Sequence, residues 1–365
     1  MPQANSASAL GLPDGARGCQ RCVGSCGLEA QRNSRSTIVN SIIFPIEVDD
    51  KWGYIDRDGR IVVKPVYPFQ WVVRHEESFA RFGLNGKNGF LDASGQIAIE
   101  ARYDHASAFS EGLACVRVGM KWGFIDTSGH TVIGLQFDSA DKFSEGVAAV
   151  MVGKRCLYID KSGHTVLEPN CTRAFTFSEG LAAVEVKKKW GYINKQGEMV
   201  IAPKFRFANR FHQGLASVGV RDNFGFIDTT GEMIIDPLFE QVGEFNNGLA
   251  PAEITPAGRR RFLDQSFWGV IDREGRWTIE PRFYFVDNFA EGLAAITVVK
   301  DVEGGEDENR YLGGYINTAG EIVIVPRFQE AHDFHGGLAL VCTDRFEELR
   351  GYIDREGEFV WEPTT

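Results

Sequence analysis

Three observations in the sequence predict an all-β protein made of tandem repeats. The stretch KWGFIDTSG at residues 121–129 returns in closely similar form at residues 51–59 and 189–197. Further copies are spaced mostly 34 residues apart, as the glycines at positions 89, 123, 191 and 225 show. Short apolar segments around each copy alternate with glycine-bearing loops, which is typical of antiparallel hairpins.

Nine copies of the unit can be counted. Beside the three clear copies, weaker ones occur at residues 88–95, 156–163, 224–231, 268–275, 313–320 and 350–357. A period of this length indicates supersecondary units that stack because none of them can bury its own apolar face. We therefore assign residues 42–365 to one array of nine repeats and residues 1–41 to a flexible N-terminal arm rich in Ser, Gly and Ala.

The clearest unit predicts three strands and two tight turns. Leu181–Val186 is a short apolar first strand, and Lys187-Lys188 forms a tight turn. Lys189–Asn194 is the second strand, a turn ends at Gly197, and Glu198–Phe205 is the third strand. Alternating apolar residues and β-branched side chains support each strand.

A linking segment joins each unit to the next. It carries an aromatic residue, an alanine and a phenylalanine three residues apart, as in Phe137, Ala140 and Phe143. The segment is either a fourth, short strand or a buried crossover. We expect the recurring phenylalanines, such as Phe143 and Phe211, to fill space between units, and the Glu-Gly pair that follows them to form a turn.

An aspartate or asparagine stands three positions before the turn glycine of every unit, as Asp56 does before Gly59 and Asp126 before Gly129. Its side chain can cap a type I turn, and glycine supplies the positive φ that closes the turn. The alternative is a ring of carboxylates that binds calcium. A calcium loop gathers several carboxylates, whereas each unit here offers one. The pattern favours turn capping and predicts no metal site.

Tryptophan recurs at one position of the unit, at Trp52, Trp122, Trp190 and Trp268. A large side chain packed between units, next to a glycine that admits a neighbouring backbone, is one interpretation. An exposed aromatic ladder for sugars or quaternary amines is the other. Because other units have Asn, Cys, Gly or Arg at this position, packing is the favoured interpretation.

The combined motif, [KR]-W-G-[YF]-I-D-x-x-G with E-G-L-A-x-V ahead of it, resembles the WG-repeat family of bacterial proteins, also called KWG repeats. The resemblance covers residues 42–363, with departures at Leu157, Gly313-Gly314 and Arg350-Gly351. It implies a β-rich repeat scaffold that serves as an interaction module. The resemblance transfers no catalytic residue.

Two architectures fit an array of such hairpin or meander units. In a propeller-like toroid, the small, apolar first strand lies nearest the axis and the strands run outward to the linking segment. In an open β-solenoid, the units add along a line. Small residues on the first strand favour the propeller, whereas nine units and a 34-residue period favour an open array. We predict the toroid, whose closure by exchange of a terminal strand is an option.

Composition narrows the classes of partner. A net charge of −11 disfavours nucleic acid and anionic membranes, because both require clustered Lys and Arg. Neither a membrane span of about 20 apolar residues nor a signal-type apolar run occurs.

The cysteines are odd in number and irregularly spaced, which indicates a cytoplasmic protein, with the cell envelope left open. Cys19, Cys22 and Cys26 form a cluster that lacks a fourth zinc ligand, so it is either chance or a metal site.

No catalytic constellation stands out. The seven histidines form neither H-x-x-x-H nor H-E-x-x-H, and the chain has no G-x-S-x-G and no phosphate-binding glycine loop. We therefore expect no enzyme activity and no cofactor.

Insertions break the repetition at one place. The loop between first and second strands expands in units seven, eight and nine, and its charged or aromatic residues are Arg259, Arg260, Arg261, Glu303, Glu306, Asp307, Glu308, Arg345 and Phe346. Equivalent loops of adjacent units project from one edge, and insertions in repeat proteins often lie on the binding face. The alternative is a set of solvated loops that neutralise one another.

Two functions follow as hypotheses. The first is a non-catalytic scaffold that mediates protein–protein interaction through this edge, with an unknown protein partner. The second is a carbohydrate or cell-envelope binder that uses exposed aromatic side chains, with a glycan as its ligand.

Overall fold

The computed structural model describes residues 42–69, 71–72, 79–254, 267–300, 311–344 and 349–364, all within one compact unit. Every regular element in these ranges is a β-strand, as the sequence predicts. The strands form nine antiparallel sheets, one for each repeat, and we number these blades one to nine in chain order. The predicted N-terminal arm, with its cysteine cluster, lies outside the described residues.

The first three blades comprise β1 (Phe44–Val48), β2 (Lys51–Ile55) and β3 (Ile61–Tyr67); β4 (Trp71–Val72), β5 (Ala80–Leu84), β6 (Lys87–Leu91) and β7 (Ile97–Tyr103); and β8 (His105–Ala106), β9 (Leu113–Val118), β10 (Lys121–Asp126) and β11 (Thr131–Phe137). The middle three comprise β12 (Ser139–Ala140), β13 (Ala148–Val152), β14 (Arg155–Ile159) and β15 (Thr165–Leu167); β16 (Arg173–Ala174), β17 (Leu181–Val186), β18 (Lys189–Asn194) and β19 (Met199–Phe205); and β20 (Phe207–Ala208), β21 (Leu215–Val220), β22 (Asn223–Asp228) and β23 (Met233–Phe239). The last three comprise β24 (Gln241–Val242), β25 (Ala250–Glu253), β26 (Trp268–Ile271) and β27 (Trp277–Phe283); β28 (Phe285–Val286), β29 (Leu293–Val299), β30 (Tyr311–Asn317) and β31 (Ile322–Phe328); and β32 (Glu330–Ala331), β33 (Ala339–Asp344), β34 (Leu349–Ile353) and β35 (Phe359–Thr364).

Within a blade the strands follow one another as an antiparallel meander. In blade five the order is β16-β17-β18-β19, so the linking segment supplies a two-residue strand that pairs with the first long strand. The expectation that this segment forms the edge beyond the third strand is therefore wrong. The short strand that follows β19 belongs to the next blade, where it pairs with the first long strand, as Phe207 does with Gly219.

This order gives each blade two distinct ends. The hairpin end carries the loop between the first and second long strands, together with the corner where one blade passes to the next. The turn end carries the turn between the second and third long strands and the tight turn before the first, which is Glu-Gly in blades three, four, five and eight.

The glycine after the tryptophan allows the third strand to cross closely over the second. A side-chain carbon added at Gly191 would lie 2.4 Å from the carbonyl oxygen of Ile201, well inside van der Waals contact. The ladder between these strands is irregular at this point, as expected for a bulge. Blade four has Leu157 instead, and its third strand is shortened to Thr165–Leu167.

The blades pack in a ring through their turn glycines. A side-chain carbon added at Gly231 of blade six would lie 3.0 Å from Cγ2 of Ile201, on the third strand of blade five. The turn glycines of the other blades pack on the preceding blade in the same way, and Gly59 of blade one packs on Val360 of blade nine. The first and last blades are therefore neighbours.

The seam between blades nine and one is an ordinary blade contact. The hydroxyl of Tyr352 donates a 3.0 Å hydrogen bond to the carbonyl oxygen of Pro45, and its ring packs edge-on against Phe44 at 5.3 Å. Strand β35 pairs with β34 inside blade nine, so the described strands close the ring without exchange between blades. The chain is a nine-bladed β-propeller, and the open solenoid is excluded.

Candidate functional site

The turn between the second and third long strands has the same hydrogen bonds in every blade. In blade three the Oδ1 atom of Asp126 accepts hydrogen bonds of 2.9 Å from the amides of Ser128 and His130. Gly129 has a φ of 78° and donates its amide to the Asp126 carbonyl at 2.9 Å. Asp56 and Gly59 have the same geometry in blade one. Each of these carboxylates therefore accepts hydrogen bonds from backbone amides.

Several of these aspartates have lowered pKa values because the folded chain donates hydrogen bonds to the charged form. The amide of His164 is the main cause for Asp160, and the Thr230 hydroxyl is the main cause for Asp228. In the described part of the chain, no group of three or more His, Cys, Asp or Glu side chains is placed to hold a metal ion.

The Glu-Gly pair forms a type I′ turn, since both residues have positive φ. Glu145 and Gly146 have φ values of 54° and 87°, and the flanking residues exchange backbone hydrogen bonds across the turn. The Glu145 carboxylate accepts the amide of Gly180 in blade five at 3.1 Å. Lys195, also in blade five, lies 3.0 Å from the same carboxylate. The pair is thus a clamp between blades as well as a turn.

Sequence reasoning missed this clamp, although a signal for it was present. A basic residue directly follows the capping Asp or Asn in five blades, at Arg57, Lys161, Lys195, Arg273 and Arg355. Lys161 pairs with Glu111 at 3.2 Å, and Arg355 donates to the Glu291 carbonyl at 2.7 Å. At the seam, Arg57 lies against Gly337.

The recurring phenylalanines lie between blades. Phe143 is fully buried and packs edge-on against Phe124 of blade three at 4.9 Å, in a cluster that also contains residues of blade four. Phe211 is fully buried between blades five and six. The hydroxyl of Ser144 donates a 2.7 Å hydrogen bond to the carbonyl of Phe177 in the next blade.

The tryptophans are mostly buried. Trp52, Trp190 and Trp268 are exposed by 8%, 5% and 6%, and each belongs to a cluster shared with the next blade. Trp122 is half-buried, with the guanidinium of Arg117 5.7 Å from its ring centroid and the His105 ring at 5.1 Å. These four side chains are therefore not an exposed ladder.

The hairpin end is less uniform than the turn end. Lys121 lies 2.6 Å from Asp138, whose pKa is lowered by that bond and by the amide of Gly153. Blade four instead pairs Arg155 with Glu168 at 2.6 Å. The lysine–aspartate pair also occurs in blade two, where Lys87 lies 2.5 Å from Asp104, but it is absent from blade four.

The expanded loops of blades seven, eight and nine begin and end at this hairpin end. Glu253 pairs with Trp268 at the base of the first, Val299 with Tyr311 at the base of the second, and Asp344 with Leu349 at the base of the third. The loop residues predicted to bind a partner, Arg259, Arg260, Arg261, Glu303, Glu306, Asp307, Glu308, Arg345 and Phe346, lie outside the described residues. Their role stays a prediction.

Blade six carries an open cavity of about 340 Å3 at its hairpin end. Phe207, exposed by 51%, lies over Phe224, which occupies the tryptophan position, with 6.0 Å between ring centroids. Arg206 lies 5.6 Å from the Phe207 ring and pairs with Asp222. The cavity therefore places the ring face of Phe207 beside side chains of both charges.

Among the described residues, no helix is long and apolar enough to span a bilayer.

Solved structures show similarity in fold. A crystal structure of the eukaryotic initiation factor matches with a TM-score of 0.62 at 9% identity, over 89% of this chain and 98% of that one. A dihydro-heme d1 dehydrogenase in complex with DHE matches with a TM-score of 0.47 at 14% identity, over 93% of this chain and 76% of that one. Hsv2p of Kluyveromyces lactis matches with a TM-score of 0.41 at 8% identity, over 68% and 92%. At 9% identity the likeness to the initiation factor concerns the fold alone.

No curated protein matches the sequence. A family model described as a WG containing repeat matches eight segments, at residues 52–87, 89–122, 122–156, 158–190, 190–223, 224–254, 268–298 and 314–345. These segments make up well over half of the chain, so the protein belongs to the family of WG-repeat proteins.

Proposed function

We propose that the chain is a non-catalytic scaffold that binds a protein partner through the hairpin ends of blades seven to nine. One observation supports this most strongly: the three long loops leave from the same end of three consecutive blades. Loops that project together from a rigid sheet framework are a common way to build a binding surface.

The composition of these loops favours a protein over a small ligand. The loop of blade seven contains three consecutive arginines, and the loop of blade eight contains three consecutive acidic or amide residues after Glu306. Adjacent patches of opposite charge suit a partner whose surface has the complementary pattern, since such patterns fix orientation and raise association rates.

A pull-down with cross-linking mass spectrometry tests the proposal. The bait is the full chain, and the test variant has residues 257–261 and 301–309 each shortened to a two-residue turn. We expect cross-links from the partner to fall on blades seven to nine and recovery to drop at least tenfold with the variant. A matched control changes exposed residues of the turn end, Gln196→Ala and Thr229→Ala, and should retain the partner. Equal recovery from both variants would refute the assignment.

A second candidate function is glycan binding, and the cavity of blade six favours it. The exposed Phe207 ring offers a stacking face, and Arg221, Asp222 and Asn223 line the same cavity with hydrogen-bonding groups. Calorimetric titration with oligosaccharides tests this function, with Phe207→Ala as the matched variant. Heat that is equal for both proteins, or absent at millimolar ligand, would refute it.

A further inference from the structure

Blade four departs from the other blades at two positions that face each other. In regular blades the residue at the tryptophan position lies opposite an aromatic residue at the end of the third strand, as Trp190 lies opposite Phe205. The same pairing joins Trp122 and Phe137 in blade three. Alignment on the capping aspartates places Cys156 and Cys171 at these two positions in blade four. Two cysteines therefore replace the facing aromatic pair of the regular blades.

The backbone of blade four differs at the same place. Leu157 replaces the glycine over which the third strand normally crosses, and the third strand pairs with the second only as far as Leu167. Residues 168–172 therefore return to the second strand without a regular ladder. Cys171 is held there by a backbone hydrogen bond of 2.9 Å to the carbonyl of Pro169.

The two thiols are neighbours in space. The Sγ atom of Cys156 lies 3.4 Å from the carbonyl oxygen of Cys171. Cys156 is 2% exposed, whereas Cys171 is half-buried and can be reached from solvent. Burial, followed by the adjacent Cys156 thiol, raises the pKa of Cys171. In the regular blades the residues at these two positions face each other in an antiparallel ladder, and such pairs have the Cα separation that a disulfide requires.

We propose that Cys156 and Cys171 form a reversible disulfide that ties the loose end of the third strand of blade four to its second strand. The oxidant is a low-molecular-weight disulfide. The Cys171 thiolate, after losing its proton to water, attacks one sulfur of that disulfide and releases one thiol. Cys156 then loses its proton and displaces the second thiol from Cys171. Two cysteine thiols are oxidised, and one external disulfide is reduced to two thiols.

The raised pKa of Cys171 sets the pH dependence of this exchange. Because the thiolate is the nucleophile, the first step slows below the thiol pKa and speeds up as pH rises. Cys115 offers an internal comparison, since it is 3% exposed and its Sγ lies 3.8 Å from a backbone carbonyl, that of Ala140. It should resist the same oxidant.

Peptide mapping of the native full chain tests the proposal. The protein is incubated with oxidised glutathione, quenched in acid, alkylated and digested with trypsin. Cleavage after Arg155, Lys161 and Arg173 places each cysteine on its own peptide, 156–161 and 162–173. We expect these two peptides to be linked in most chains, released by dithiothreitol, and formed faster at pH 9 than at pH 7.

Two further measurements sharpen the result. Cys156→Ser should leave a stable glutathione adduct on Cys171, because the displacing thiol is missing. The oxidised wild type should melt about 5 °C higher than the reduced form, since the bond closes a chain loop. Separately alkylated peptides, or a stable adduct on Cys171 of the wild type, would overturn the proposal.

Discussion

The turn ends and the hairpin ends of the nine blades differ in how strictly they repeat. At the turn end, Asp or Asn caps a turn whose glycine packs on the preceding blade, and this arrangement recurs around the whole ring. At the hairpin end, charge pairs change identity, a cavity opens in blade six, and three loops are expanded. The comparison indicates that the turn end holds the ring together while the hairpin end is free to vary.

The seam between the first and last blades supports this division. Gly59 contacts Val360 there, so the ring closes through the same glycine contact that joins the other blades. If closure depended on hairpin-end loops instead, the contact between Gly59 and Val360 would not be needed.

The largest expected effect comes from the buried phenylalanine between blades. Phe143→Ala should cost about 3–5 kcal/mol of unfolding free energy, because it leaves a cavity between blades three and four. Phe207→Ala at the hairpin end, where the ring is 51% exposed, should cost less than about 1 kcal/mol. Denaturant unfolding of both variants measures the difference. Equal costs would contradict the division.

Turn glycines give a second contrast. Gly231→Ala should cost about 2–3 kcal/mol, because it combines a positive φ with overlap onto Ile201 of the preceding blade. Gly119→Ala at the hairpin end has a positive φ but open space around it, so it should cost about 1 kcal/mol. If thermal melting gives the two variants the same loss, the packing of the glycine on Ile201 contributes nothing.

The capping carboxylates should show a smaller effect. Asp228→Ala removes the acceptor for the amides of Thr230 and Glu232 and should cost about 1 kcal/mol. Asp228→Asn should be nearly neutral at pH 7, since Asn194 and Asn317 already cap the same turn. A full loss in the asparagine variant would mean that charge, rather than hydrogen bonding, holds the turn.

The wild type and Asp228→Asn should also differ in how their stability depends on pH. The folded-state pKa of Asp228 is lowered, so its stabilising contribution is present above the unfolded pKa of about 3.9 and is lost as pH falls below it. Asp228→Asn should lose less stability between pH 5 and pH 2 than the wild type. Identical acid unfolding curves would contradict the assignment.

The clamp between Glu145 and Lys195 should contribute least to the free energy of unfolding. Their side chains are 26% and 46% exposed, so a double-mutant cycle should give a coupling of about 0.5 kcal/mol that falls in high salt. A coupling that is large and unaffected by salt would place the carboxylate in a drier interface than the structure has.

Local features of the fold could be predicted from the sequence, because each depends on residues close together in the chain. Leu181–Val186 and Lys189–Asn194 are strands with the expected bounds, and the third strand of that blade begins one residue later than predicted. The turn between Asp126 and Gly129 could be predicted from four consecutive residues.

Features that join distant residues could not be predicted in the same way. Pairing of the linking segment with the first strand, rather than beyond the third, joins residues about ten positions apart, such as Ala174 and Val184, which no local pattern connects. The bond from Glu145 to Gly180 spans two blades and becomes visible once the ring is known. The candidate partner-binding loops follow no repeat, so the sequence indicated where they leave the blades but not what they bind.

Spin-label distances across the seam test the closed ring most directly. Labels attached through unnatural amino acids at Asp58 and Glu356 report on blades one and nine, and labels at Ser162 and Gln196 report on the equivalent positions of blades four and five, which are neighbours in sequence. A closed nine-bladed ring predicts the same narrow distance distribution for both pairs. A longer or broader distribution for the first pair would contradict closure.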